Sequence, residues 1–241
     1  MTKNIIILQH IAVETPGYIL DLMKRDNYNL TTIELDEGEK IPNNINQFDA
    51  MLSMGGPMDT WMEESHPWLI EEKKTIKEFV INLKKPFLGF CLGCQLLGEV
   101  VGGKVVKSNP PEIGILDVNM LQNYEKDEIF KEFPSRIKAL QWHSYEVQDL
   151  EKNCDVSILA SSLTTKYQIF KYQNHAYGIQ FHIEIKEDTV NKWGCVREYK
   201  TALEESLGKD ALDQFDTKAK DNIKNFNNSA EILYKNFSKI I

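Results

Sequence analysis

A short apolar run, Phe87–Phe90, ends at a glycine-flanked cysteine and passes directly into an apolar, helix-like stretch: Gly89-Phe90-Cys91-Leu92-Gly93-Cys94-Gln95-Leu96-Leu97. No residues are left over for a loop, so strand and helix must meet in a tight turn. The glycines on both sides of Phe90–Leu92 let the backbone make it. The resulting G-x-C-x-G is the thiol counterpart of the G-x-S-x-G nucleophile elbow, in which a strand-to-helix turn lifts one side chain above the sheet edge. A thiol at a helix N-terminus also feels the positive end of the helix dipole. That favours the thiolate and makes it a better nucleophile near neutral pH.

The segments around the elbow alternate between strand-like and helix-like patterns. Asn4–Leu8 reads as a strand. Thr15-Pro16-Gly17 predicts a helix start, with Thr15 as N-cap and Pro16 at the first helical position, and a helix running to about Asn27. Thr31–Leu35 and Asp49–Met54 are further strands, the second ending in Gly55-Gly56-Pro57. Trp68–Leu83 carries apolar residues at helical spacing. This rhythm predicts an α/β, flavodoxin-like fold: a mostly parallel sheet flanked by helices.

From Lys104 to Gly178 the pattern changes. Ile113–Met120, Ile137–Trp142, Val156–Ser161 and Tyr167–Tyr172 read as strands with short connections and predict a small antiparallel extension of the sheet. His175–Phe181 reads as one more buried strand, and Lys186–Ile241 as a C-terminal helical tail that Phe237, Ile240 and Ile241 pack back onto the rest. No repeat or linker is evident, so residues 1–241 read as a single domain with a helical extension from about residue 186.

Composition removes several classes. A formal net charge of −8 argues against nucleic acid and an anionic membrane as partners. No stretch has the length of a membrane span, and Ile5–Leu8 is too short for a signal-peptide core. Four cysteines in 241 residues, at 91, 94, 154 and 195, do not form a disulfide framework, and the expected compartment is the reducing cytoplasm. Cys91 and Cys94 do make a C-x-x-C. A zinc site would need a second ligand pair at suitable spacing, which the sequence lacks. The flanking glycines fit an elbow better than a redox pair, so Cys94 reads as a packed helix residue, with a disulfide to Cys91 as the lesser alternative.

The elbow has partners elsewhere in the chain. His182 and Glu184, in Gln180-Phe181-His182-Ile183-Glu184, lie two apart just after an apolar strand and so face the same way on an extended segment. Glu184 in that position could fix the tautomer of His182 while the other ring nitrogen faces a thiol. Gly55-Gly56-Pro57 lets the backbone approach a substrate and present an N–H group; together with the N–H of Leu92 it could form an oxyanion hole, each donor being worth about 3 kcal/mol of barrier. His10 and Glu14 follow the first strand, where they would line a pocket mouth or belong to a local polar loop. Trp61-Met62-Glu63-Glu64 reads either as a lid or as packing.

Taken together, G-F-C-L-G-C-Q, M-G-G-P-M-D and Q-F-H-I-E resemble the motifs of the class I (triad-type) glutamine amidotransferases, in the family's chain order and over nearly the whole length. The nearest form is a stand-alone protein similar to the amidotransferase domain of GMP synthase. The resemblance implies Cys91 as nucleophile, His182 as base and Glu184 as orienting carboxylate, with Gly56 and Leu92 forming the oxyanion hole. It implies that Gln95 helps hold the glutamine, and that His143, Ser144 and Tyr145, in Gln141-Trp142-His143-Ser144-Tyr145, border the substrate. It implies no cofactor and no metal. Three departures stand out: Ile183 where the family commonly has proline, Phe90 and Cys94 beside the nucleophile, and Tyr145 where an acidic residue is frequent.

The chemistry implied is cleavage of a γ-glutamyl amide through a cysteinyl thioester. The substrate would be glutamine, with a synthetase partner accepting the ammonia, or a γ-glutamyl amine or peptide hydrolysed by the protein alone. A non-catalytic binding or redox-sensing protein is the competing class; the full Cys–His–Glu set counts against it.

Overall fold

The computed structural model describes residues 2–241. In chain order the first half contains β1 (Asn4–Gln9), α1 (Gly17–Arg25), β2 (Asn29–Glu34), β3 (Ala50–Ser53), α2 (Trp68–Lys77), β4 (Phe87–Phe90) and α3 (Leu92–Val100). The second half contains β5 (Lys104–Met120), β6 (Arg136–Gln148), β7 (Val156–Ser161), β8 (Ile169–Tyr172), β9 (Ala176–Ile179), α4 (Thr189–Trp193), α5 (Arg197–Leu207) and α6 (Ala211–Phe237). The strands form one mixed sheet in the order β2-β1-β3-β4-β9-β8-β7-β5-β6. From β2 to β9 all neighbours are parallel, and from β9 to β6 all are antiparallel.

The parallel half is buried on both faces, which is why its strands are continuous apolar runs rather than alternating ones. In β1, Ile5 and Ile7 enter one core together with Ile19, Leu22 and Met23 of α1 and Phe226, Leu233 and Phe237 of α6. Ile6 and Leu8 enter the opposite core with Leu69 and Ile76 of α2 and Leu96 and Leu97 of α3. The α/β class, the antiparallel extension and the helical tail are therefore as the sequence predicts. Ile240 and Ile241 are partly buried against the first core. Among the described residues, no helix is long and apolar enough to cross a membrane.

Two helix ends differ from expectation. α1 starts at Gly17, and Pro16 takes the cap position that the sequence assigns to Thr15. The reason is a tertiary contact: Gly17 has φ +50°, and a Cβ there would collide with the Glu184 carbonyl oxygen, which accepts the Tyr18 N–H at 2.5 Å. α2 ends at Lys77, and Glu78–Asn82 continues it as a π-helical turn.

The antiparallel half curls. Leu140 of β6, at the far end of the strand order, exchanges both backbone hydrogen bonds with His182, just beyond β9, at 3.1 and 2.9 Å. That half of the sheet thus closes back onto the segment carrying His182. A register shift in β5 between Lys107 and Glu112 sets Glu112 directly opposite His143 of β6.

Candidate active site

Cys91 sits between β4 and α3 with φ +49° and ψ −101°, a sparsely populated conformation for a residue with a side chain. Surrounding hydrogen bonds hold it there. Its N–H donates to Ile179 O of β9 at 2.9 Å, its carbonyl accepts the Gln95 N–H at 3.0 Å, and the Gly93 N–H donates to Met54 O at 3.0 Å. At Gly93 any Cβ would collide with the Ser53 carbonyl, so the elbow packs directly on the end of β3. Gln180 Nε2 approaches Cys91 Sγ at 3.6 Å.

His182 is 2 % exposed and Glu184 1 %. His182 Nδ1 donates to Glu184 Oε1 at 2.6 Å, and the Ile183 N–H donates to Glu184 Oε2 at 2.9 Å. Burial acts to lower the His182 pKa, but the Glu184 charge and the hydrogen bonds to Cys91 and Glu184 outweigh it and hold the imidazole well above its ordinary value. Trp193 packs on the ring at 4.6 Å between centroids. A thiol, an imidazole and a carboxylate therefore stand in a row, able to pass a proton from sulfur to nitrogen and hold the resulting charges.

A cavity of about 140 Å³ opens over Cys91, and Gly56, Leu92, Gln95, His143, Ser144 and Tyr145 all line it. The structure thus brings the residues singled out in four separate segments to one cavity. Among the described residues, neither the Gly56 nor the Leu92 N–H has a backbone acceptor. Gln95 Nε2 donates to Tyr145 O at 3.1 Å and to Gln180 Oε1 at 3.3 Å, tying α3 to β6. Trp61 packs edge-on against Tyr145 at 4.8 Å, so the 61–64 segment reaches across to the β6 wall. His143 Nδ1 donates to Tyr145 O at 2.9 Å, and its Nε2 lies 3.2 Å from Glu112 Oε2. Glu112 also accepts from Ser162 and Gln168 at 2.5 Å and from Thr164. Burial works against its charged form, but these donors hold its carboxyl down at about 2.

The sequence model for the family described as glutamine amidotransferase class-I matches residues 18–192. The chain belongs to the class I glutamine amidotransferase family. It is 27% identical over 203 residues to the glutamine amidotransferase-like protein YfeJ of Salmonella typhimurium, covering 83% of this chain and 82% of that protein. It is 33% identical over 149 residues to the glutamine-hydrolysing subunit of GMP synthase from Sulfolobus acidocaldarius, covering 61% of this chain and 73% of that protein. A crystal structure of a glutamine amidotransferase from Thermotoga maritima superposes with a TM-score of 0.86 at 27% identity, covering 98% of both chains.

Within this amidotransferase fold several site neighbours carry no signal in the sequence. The family match ends before Trp193 and Tyr199, yet both pack at the site. The Tyr199 hydroxyl donates to Glu14 Oε1 at 2.5 Å, and Trp142, Trp193, Tyr199 and Phe215 form an aromatic cluster behind the cavity. His10 and Glu14 are fully buried rather than at a pocket mouth, because the loop after β1 folds under the Gly55 turn. Burial pushes Glu14 up, against the opposing pull of His182 and Tyr199. Cys94 is a free thiol, fully buried in the core on α3, and burial pushes its pKa well up. Ile183, where the family commonly has proline, supplies to Glu184 an N–H that proline would lack.

Proposed function

We propose that the protein hydrolyses a γ-glutamyl amide, with glutamine as substrate, through Cys91, His182 and Glu184. The observation that carries this is the placement of a strained, elbow-borne thiol against an imidazole whose other nitrogen is bonded to a buried carboxylate. The Cys91 thiolate attacks the side-chain carbonyl carbon, and the resulting oxyanion meets the N–H groups of Gly56 and Leu92. Protonated His182 delivers its proton to the amide nitrogen, the C–N bond breaks, and ammonia leaves a glutamyl thioester. Water then gives a proton to His182 and adds to the thioester, releasing glutamate and the thiolate. Glu184 holds the ring in place and stabilises its charge. Gln95, His143, Ser144 and Tyr145 border the glutamyl group. The ammonia would pass to a synthetase partner, in line with the similarity to one component of a GMP synthase.

A second reading has its own support. A groove of about 560 Å³ adjoins the cavity and shares Pro57, Met58 and Glu198 with it. It has room for a leaving amine larger than ammonia, as in a γ-glutamyl amine or peptide. Glutamate release from glutamine and from a series of γ-glutamyl amines separates the two, with Cys91→Ser as control. The expected result is turnover of at least one of them and a loss of at least about 10³-fold in the variant. No turnover by the reduced protein would sink the hydrolase reading, and full activity of Cys91→Ser would remove Cys91 as nucleophile.

A further inference from the structure

Behind the Gly55 turn lies a second buried histidine that the proposed chemistry leaves unused. His10 is fully buried just after β1. Its Nδ1 lies 2.9 Å from the Gly55 carbonyl oxygen, and its Nε2 lies 2.9 and 3.1 Å from the two carboxylate oxygens of Glu72 on α2. Ser53 Oγ donates to the same carboxylate at 2.8 Å, and the Trp68 ring stacks on the imidazole. An imidazole whose two nitrogens both face acceptor oxygens carries a proton on each. Burial alone would lower the pKa of His10, but the attraction and hydrogen bond of Glu72 and the bond to Gly55 raise it above its ordinary value.

The Gly55 carbonyl and the Gly56 N–H belong to one planar peptide unit, and that unit is trans, so the two point in opposite directions. A group that grips the oxygen therefore aims the N–H. The Gly56 end lines the Cys91 cavity and has no backbone acceptor among the described residues. The preceding carbonyl, Met54 O, is held by Gly93 of the elbow, so the turn is tied on two sides. A charged donor on a peptide oxygen also polarises the unit and strengthens its N–H as a donor.

We propose that the His10–Glu72 ion pair is the positioning device of the oxyanion hole: by gripping Gly55 O it points the Gly56 N–H at the oxygen of the tetrahedral intermediate and polarises it. His10 touches no substrate, so it is a positioning residue. The inference rests on the hydrolase reading and on Gly56 as an oxyanion donor.

The test compares two double variants. His10→Leu/Glu72→Met removes the grip without leaving a buried charge unpaired, and His10→Asn/Glu72→Gln keeps a short neutral donor near Gly55 O. Three quantities are measured on the intact chain: steady-state glutamate release, the rate of Cys91 alkylation by iodoacetamide, which needs no oxyanion hole, and the melting temperature. In the Leu/Met variant kcat should fall about 10- to 100-fold, with KM and the alkylation rate within about twofold; the Asn/Gln variant should recover most of kcat. A folded Leu/Met variant with unchanged kcat overturns the proposal, as does an equal slowing of turnover and alkylation, which would mean a distorted elbow. If the Leu/Met variant does not fold, Glu72→Gln decides: a severalfold lower kcat with KM and alkylation kept supports the proposal, and an unchanged kcat overturns it. A wild type that turns over no γ-glutamyl amide removes the hydrolase reading together with this one, whereas active wild type with equally active variants removes the positioning role alone.

Discussion

Two buried histidine–carboxylate pairs stand beside the same cavity, and their surroundings differ. At the end of β9, Glu184 bonds His182 with one oxygen and the Ile183 N–H with the other, leaving the second imidazole nitrogen for Cys91. Between β5 and β6, Glu112 takes hydrogen bonds from Ser162, Thr164 and Gln168 besides lying against His143, whose other nitrogen is bonded to the Tyr145 carbonyl. The residue types are the same in both pairs. One leaves a nitrogen facing a thiol; the other uses every nitrogen and carboxylate oxygen to join strands. Reactivity here is a property of what the pair leaves unbonded, not of the pair itself.

That contrast can be broken by exchange experiments. His182→Gln should lower kcat for the active γ-glutamyl amide by at least about 10³-fold. His143→Gln should raise KM and leave kcat within about tenfold, as expected of a cavity wall. Equal falls in kcat would erase the distinction between the pairs.

Stability should reverse the ranking. Glu112→Ala strips the partner from His143, Ser162, Thr164 and Gln168 at once, and urea denaturation should show a loss of about 3–5 kcal/mol. A loss below about 1 kcal/mol would make the cluster dispensable. The same group sets a pH signature. Its carboxyl is held at about 2 against an ordinary 4.5. A carboxyl depressed on folding stabilises the protein fully above its unfolded value and loses that contribution as the pH falls through its folded value. About 3 kcal/mol should therefore be present above pH 4.5 and disappear towards pH 2. In Glu112→Gln this part of the acid limb should flatten, and an unchanged slope would assign it to other groups.

The smallest effect expected lies in the catalytic pair's own support. Ile183→Pro would restore the residue common in the family and remove the N–H that Glu184 Oε2 accepts. A severalfold fall in kcat with unchanged KM is the expected outcome. An unchanged kcat would show that Glu184 does not use that bond.

Much of the site was legible before any coordinates, because its chemistry is written in local patterns. The G-x-C-x-G after Phe87–Phe90 dictates a strand–elbow–helix join, and the glycine at position 93 proves to be the point where that join presses on β3. The two-residue spacing of His182 and Glu184 on an extended segment places both side chains on one side, as their 2.6 Å contact shows. Gly55-Gly56 at a strand end carries its own reading as backbone brought close to a ligand. Runs such as Ile5–Leu8 betray a sheet buried on both faces, and so the layered α/β class.

Tertiary structure alone decided which polar groups were gathered under those patterns. Glu112 and His143 are 31 positions apart and face each other only because β5 shifts register after Lys107. Tyr199 reaches Glu14, 185 residues away in sequence, through the way α5 packs over the cavity. His10 was legible as a polar residue after a strand, but its burial depends on Glu72 arriving from α2. The reason is general: a turn or a strand alternation is set by neighbours along the chain, whereas the burial of a charge is tolerable only once a distant partner is in place to share it.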